Sequence, residues 1–107
     1  MSEIKPEMKA VMIAAADKAA PREACGLVWG EEVREVTNVA KNGGGFFIMD
    51  YEEQVVLYNE LGRPDGVWHS HPNGDPLPSE SDLHYHPDGM RMYIVAGGEV
   101  INHGIPG

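Results

Sequence analysis

The sequence predicts an α+β, or mixed α/β, domain: a β-sheet with helices packed against it. Three observations carry this expectation. An amphipathic helical pattern opens the chain, short apolar runs bounded by glycine and proline follow, and a second helical segment separates these from two further strand-like groups. Helices and strands in that order bury their apolar faces best as a sheet covered by helices. At 107 residues the chain fits one small domain, residues 1–107, with no room for two.

The elements follow in order. From Glu3 to Ala20 the residues Ile4, Met8, Val11, Met12, Ala15 and Ala19 recur at three- and four-residue spacing, which places them on one helical stripe. Ser2 is the expected cap, Pro6 is tolerated in the first turn, and Pro21 stops the helix. Met8 and Met12 at this spacing read as core rather than as a soft-metal site. Ala24 to Gly30 is a buried strand, Glu31-Glu32 a turn, and Val33 to Val39 a second strand with Val33 and, after a one-residue slip, Val36 turned inward. Lys41 to Gly45 is loop. Its glycines lack the Lys-Ser/Thr continuation of a phosphate loop.

Phe46 to Met49 is a short apolar piece. Asp50 then opens a capping box with Glu53 reaching back, and the helix carries Val55, Val56, Tyr58 and Leu61 before Gly62 ends it. A turn at Arg63–Gly66 leads into a strand, Gly66 to His71, which breaks at Pro72. Ser79 caps a short helix from Glu80 to about Tyr85. Met92–Ala96 and Glu99–His103 close the sheet around Gly97-Gly98.

Composition narrows the function classes. Apolar residues make up 42% of the chain, enough for one modest core, so a bound metal would add useful stability. Eight basic against 17 acidic residues give a net charge of −9, which argues against nucleic acid or a membrane surface as the main partner. No apolar run approaches the ~20 residues of a spanning helix, and the N-terminus lacks the order of a signal peptide. The single cysteine, Cys25, allows no internal disulfide. The expectation is a cytoplasmic protein.

The chemistry concentrates in His69-Ser70-His71-Pro72, followed after six residues by Ser79-Glu80-Ser81-Asp82. Residues two apart on a strand project from the same face, so His69 and His71 can offer two imidazole nitrogens to one point. Pro72 ends the strand, and the loop is long enough for Asp82 to return as a third ligand. Two nitrogens and one carboxylate suit zinc, and three protein ligands leave the fourth position for water. Peptide hydrolysis then needs a base, for which Glu23, just before the first strand, is well placed. Ser79 can donate to the developing oxyanion. Each also has a plainer role: Asp82 can complement the helix dipole and Ser79 can simply cap.

His84-Tyr85-His86-Pro87 repeats the H-x-H-P pattern on or after the short helix, where residues two apart diverge, and reads as surface. His103 reads as a strand or turn residue. Cys25 reads as a small buried strand residue.

On these residues the chain resembles the JAMM (MPN-plus) metallopeptidases, whose signature is an upstream glutamate followed by H-S/T-H-P-x6-S-x2-D. Glu23 and His69-Ser70-His71-Pro72 through Ser79 and Asp82 occupy those positions. The run Pro21-Arg22-Glu23-Ala24-Cys25-Gly26-Leu27-Val28 resembles that of bacterial and phage members, the phage tail-assembly protein K group in particular. The resemblance implies a curved β-sheet flanked by helices and zinc-dependent hydrolysis of peptide or isopeptide bonds. It implies a zinc held by His69, His71 and Asp82, Glu23 as proton shuttle and Ser79 at the tetrahedral intermediate. As substrate it implies a protein or peptide, such as a ubiquitin-like protein or a phage tail component. Two alternatives stand beside this reading: a non-catalytic zinc-binding assembly module, and a Cys25–His nucleophilic hydrolase.

Overall fold

A computed structural model describes residues 4–42 and 45–106. Five strands form one sheet in the order β2-β1-β3-β4-β5, with β1 Cys25–Trp29, β2 Glu32–Val36, β3 Gly66–Ser70, β4 Arg91–Ala96 and β5 Glu99–Asn102. Helices α1 Pro6–Ala19, α2 Tyr51–Leu61 and α3 Glu80–Tyr85 complete it. Among the described residues only the β3–β4 pairing is parallel. A parallel pair needs a crossover connection, and here the segment containing α3 supplies it.

Both faces of the sheet are covered. On one, α1 packs Met8, Met12 and Ala15 against Val28, Trp68, Tyr93 and Val95. On the other, α2 lays Leu57 over Leu27, Val36, Val67 and Met90. Along β3, Val67 and His69 therefore face the α2 side, while Trp68 and Ser70 face α1.

Several side chains depart from the sequence-based expectation. Val33 and Val36 need no slip: Val33 packs on the α1 side and Val36 on the α2 side, because both sheet faces carry an apolar cluster. Glu32 pairs with Trp29 as the first residue of β2, which confines the turn to Gly30 and Glu31. On α1, Val11 is 44% exposed at the edge of the stripe. On α2, Val55, Val56 and Tyr58 are exposed and Leu57 is the buried residue. The expected box at Asp50 is half formed. Asp50 accepts from the Glu53 amide at 3.0 Å, but the Glu53 carboxylate accepts from the Thr37 amide instead of reaching back. Lys5 occupies the N-cap of α1 without a side-chain cap. The proposed cap Ser2, and Gly43 and Gly44 of the loop, lie outside the described residues.

Candidate metal centre

The register of β1 against β3 sets Cys25 opposite His69. Glu23, two residues before Cys25, thereby reaches the same end of the sheet as the histidines. Its backbone is held from two sides. The Ala24 amide donates to Ser70 Oγ at 2.8 Å and the Ser70 amide donates to the Ala24 carbonyl at 2.9 Å. The Asn38 side-chain amide donates to the Glu23 carbonyl at 2.9 Å. The side chain of Glu23 is 5% exposed, and its Oε1 has no hydrogen-bond partner among the described residues.

His71 lies just beyond β3, still tied to the sheet through its amide, which donates to the Val95 carbonyl at 2.9 Å. Its Nδ1 is 2.8 Å from the Asp75 carbonyl. A carbonyl only accepts, so Nδ1 carries the proton and Nε2 of the neutral ring presents a lone pair. That nitrogen lies 3.0 Å from Asp82 Oδ2, a contact that is favourable only with a proton or a cation between the two. His69 Nε2 is 3.0 Å from the same oxygen and 3.2 Å from His71 Nε2. Ser79 fixes Asp82 in turn: its amide donates to Asp82 Oδ2 at 2.9 Å, and its Oγ accepts from the Asp82 amide at 3.1 Å, a complete capping box at the start of α3.

Two imidazole nitrogens and a carboxylate oxygen thus form a triangle with edges of 3.0, 3.0 and 3.2 Å. Ligands at 2.0–2.1 Å in a tetrahedral site lie about 3.3–3.4 Å apart, so the triangle is close to one face of such a site. Its electrostatics call for a cation. Burial pushes the His69 pKa down, against the pull of Asp82. The hydrogen bond to Asp82 raises that of His71, against burial. Burial alone would raise the Asp82 carboxyl, but the two histidines overcome it and hold it far below the ordinary carboxylate range.

Glu23, His69 and His71 also form a group whose ligand atoms all lie within 4.8 Å of one another. Glu23 therefore reaches the same point as the two histidines. Burial raises its carboxyl to about 7, with the His71 charge lowering it and the Asp82 charge raising it.

The structure brings Glu23, His69, His71, Ser79 and Asp82 together, and leaves the other candidates outside that cluster. His84 is exposed, against Tyr85. His86, expected at the surface, is half-buried instead, 2.7 Å from the Met90 carbonyl and lining a cavity shared with His69 and Asp82. His103 Nε2 is 2.7 Å from the Pro76 carbonyl, tying the end of β5 to the loop after Pro72. Cys25 is buried, with Sγ 3.3 Å from the Val36 carbonyl.

Three contributors escaped the sequence reading. Asn38 holds Glu23, Ser70 clamps Ala24, and Phe47 stacks on His69 with ring centroids 4.7 Å apart. Ser70 had a signal, its place between the two histidines. Asn38 and Phe47 had none.

Two cavities flank the cluster. The larger, about 760 Å³, is walled by apolar side chains and reaches His69 and Asp82. The smaller, about 120 Å³, is lined by Glu23, His71, Ser79 and the loop after Pro72.

The family model described as "Prokaryotic homologs of the JAB domain" matches residues 5–103. The chain is also similar to the solution structure of protein DSY2949 from Desulfitobacterium hafniense. The two share 25% identity over 95% of this chain and 81% of that one, with a TM-score of 0.78. No curated protein matches significantly.

Proposed function

The chain belongs to the family of prokaryotic JAB-domain homologs, and from that premise we propose that it is a zinc-dependent metallopeptidase acting on peptide or isopeptide bonds. The observation that carries the reading is the pairing of a three-ligand cluster with a buried, unpartnered carboxylate beside it. A site that served only structure would have no use for Glu23 Oε1 without a partner.

His69, His71 and Asp82 would hold the metal, a nitrogen–nitrogen–oxygen donor set suited to zinc. When bound, zinc supplies Lewis-acid activation of water and of a carbonyl oxygen. The remaining roles fall to the chain's own groups. Glu23, with its carboxyl raised to about 7, is matched to accepting a proton near neutral pH and delivering it to the leaving nitrogen. The bond from His71 Nδ1 to the Asp75 carbonyl keeps Nε2 free to ligate. Ser79 borders the same small cavity as Glu23, where its hydroxyl can donate to the oxyanion. The proposed substrate is a protein or peptide, such as a ubiquitin-like protein or a phage tail component.

Metal content of the purified chain tests this directly. About one zinc per chain is expected, lost in His71→Ala and Asp82→Ala. Glu23→Gln should keep the zinc while peptide cleavage falls by roughly 10²–10⁴. Zinc in the wild type with equal cleavage by Glu23→Gln would overturn the catalytic reading, and zinc with no cleavage of any substrate would favour an assembly module.

A further inference from the structure

The two cavities differ in size and chemistry, and the cluster lies between them. Leu27, Phe47, Met49, Val67, Met90 and Met92 wall the larger one. Among the described residues no lysine or arginine lines it, and its polar groups, Gln54, Ser81, His86 and the ligands His69 and Asp82 among them, sit around a mainly apolar wall. Its rim residues Phe46 and Ile48 are 41% and 53% exposed, so the apolar wall reaches the surface. The smaller cavity is polar, bordered by Glu23, Asn73, Asp75 and Ser79.

We propose that the larger cavity receives a bulky apolar side chain from the acyl part of the substrate, so that the site selects amides whose acyl residue resembles phenylalanine, leucine or methionine. This rests on the peptidase reading, because the direction of the substrate follows from the proton's path. In hydrolysis the carbon–nitrogen bond breaks and a carbon–oxygen bond to water forms. One water proton passes through Glu23 to the leaving nitrogen, which departs as the amine, and the acyl part leaves as a carboxylate once the second water proton has passed to the amine or to solvent. The leaving nitrogen must therefore lie within reach of Glu23, on the side of the small polar cavity. The acyl part extends the other way, past His69 and Asp82, into the apolar one. Three methionines line or floor that cavity, and their flexible thioethers adapt to side chains of different shape. Acidic and basic acyl residues would lose their hydration against that apolar wall, and the one carboxylate at its edge, Asp82, is already engaged by His69 and His71.

The test uses zinc-loaded protein with ¹³C-labelled methionine methyls, titrated with N-acetylphenylalanine and with N-acetylglycine, each a mimic of an acyl product. N-acetylphenylalanine is expected to shift the methyls of Met49, Met90 and Met92 and to bind at least about tenfold more tightly. Ile48→Glu should abolish that preference with zinc content unchanged. Equal binding of the two probes, or shifts that avoid these methyls, would overturn the proposal. Cleavage mapping of a mixed peptide pool separates the two readings. Cleavage after glycine as readily as after phenylalanine keeps the peptidase and overturns the cavity assignment. Selective binding without any cleavage removes the peptidase and overturns the acyl assignment with it, leaving only a cavity that binds apolar side chains.

Discussion

Asn38 donates its side-chain amide to the backbone carbonyl of Glu23 at 2.9 Å, so the proposed base is held by a residue 15 positions away. The same side chain is fully used. Nδ2 also approaches the Phe46 carbonyl at 3.4 Å, and Oδ1 accepts from the Ala40 and Ile48 amides at 3.0 and 3.1 Å. Asn38 thereby couples the base to the segment that lays Phe47 on His69.

Asn38→Asp keeps the acceptor and removes both donor bonds, leaving two carbonyls facing a carboxylate. Destabilisation of about 1–3 kcal/mol is expected from the urea midpoint, with zinc stoichiometry intact and turnover lowered through a displaced Glu23. An unchanged midpoint would refute the coupling.

Glu23 makes stability of the metal-free chain depend on pH in a stated direction. Its carboxyl is raised from 4.5 to about 7 on folding, chiefly by burial, so the folded state binds the proton more tightly. Its contribution is fully present below about 4.5 and is lost as pH rises through about 7. Glu23→Gln removes that slope. The variant should therefore gain on the wild type between pH 5 and pH 8 in chelator-treated samples unfolded by urea. A constant difference across that range would contradict the buried-carboxyl assignment.

Cys25 should be inert. It is buried, and burial, with nearby carboxylates adding, pushes its thiol up to about 12, so almost no thiolate exists at neutral pH. Iodoacetamide at pH 8 is expected to label it only after denaturation, and Cys25→Ala should match the wild type in zinc content and in the proposed cleavage. Loss of activity on native-state alkylation, with chelation harmless, would instead restore the cysteine-nucleophile alternative.

Gly26 has a packing role that its place in the Glu-Ala-Cys-Gly-Leu run does not reveal. A Cβ there would collide with the Arg34 carbonyl and the indole of Trp68, whose Nε1 donates to that same carbonyl at 3.2 Å. Neither neighbour can move, since one is backbone of β2 and the other is fully buried. Gly26→Ala is predicted to cost about 3 kcal/mol, measured by urea unfolding of the zinc-free chain. A loss below about 1 kcal/mol would mean that the strands yield more than the packing suggests.

What was legible in the sequence was local. The two-residue period of a strand points His69 and His71 the same way, and the Ser-x-x-Asp spacing joins Ser79 to Asp82 across one helical turn. Helices and strands showed in apolar periodicity, and the resemblance carried by Glu23 and the H-S-H-P block extended to the family. Periodicity was weaker for side-chain burial. It marks an apolar residue without saying which sheet face is covered, hence the needless slip at Val36 and the choice of Val55 and Val56 over Leu57.

Other features depended on chain crossings that no local pattern encodes. Pairing of β1 with β3 brings Glu23 beside the histidines, and the bridge between Asn38 and Met49 folds the segment from Phe46 to Ile48 over them. The sequence by itself determined which groups can ligate, take a proton or cap a helix, because those are properties of residue type and short spacing. The tertiary structure alone decided the apolar cavity on one side and the polar one on the other. Cavities are the space left between elements distant in the chain, and their shape follows from packing rather than from any run of residues.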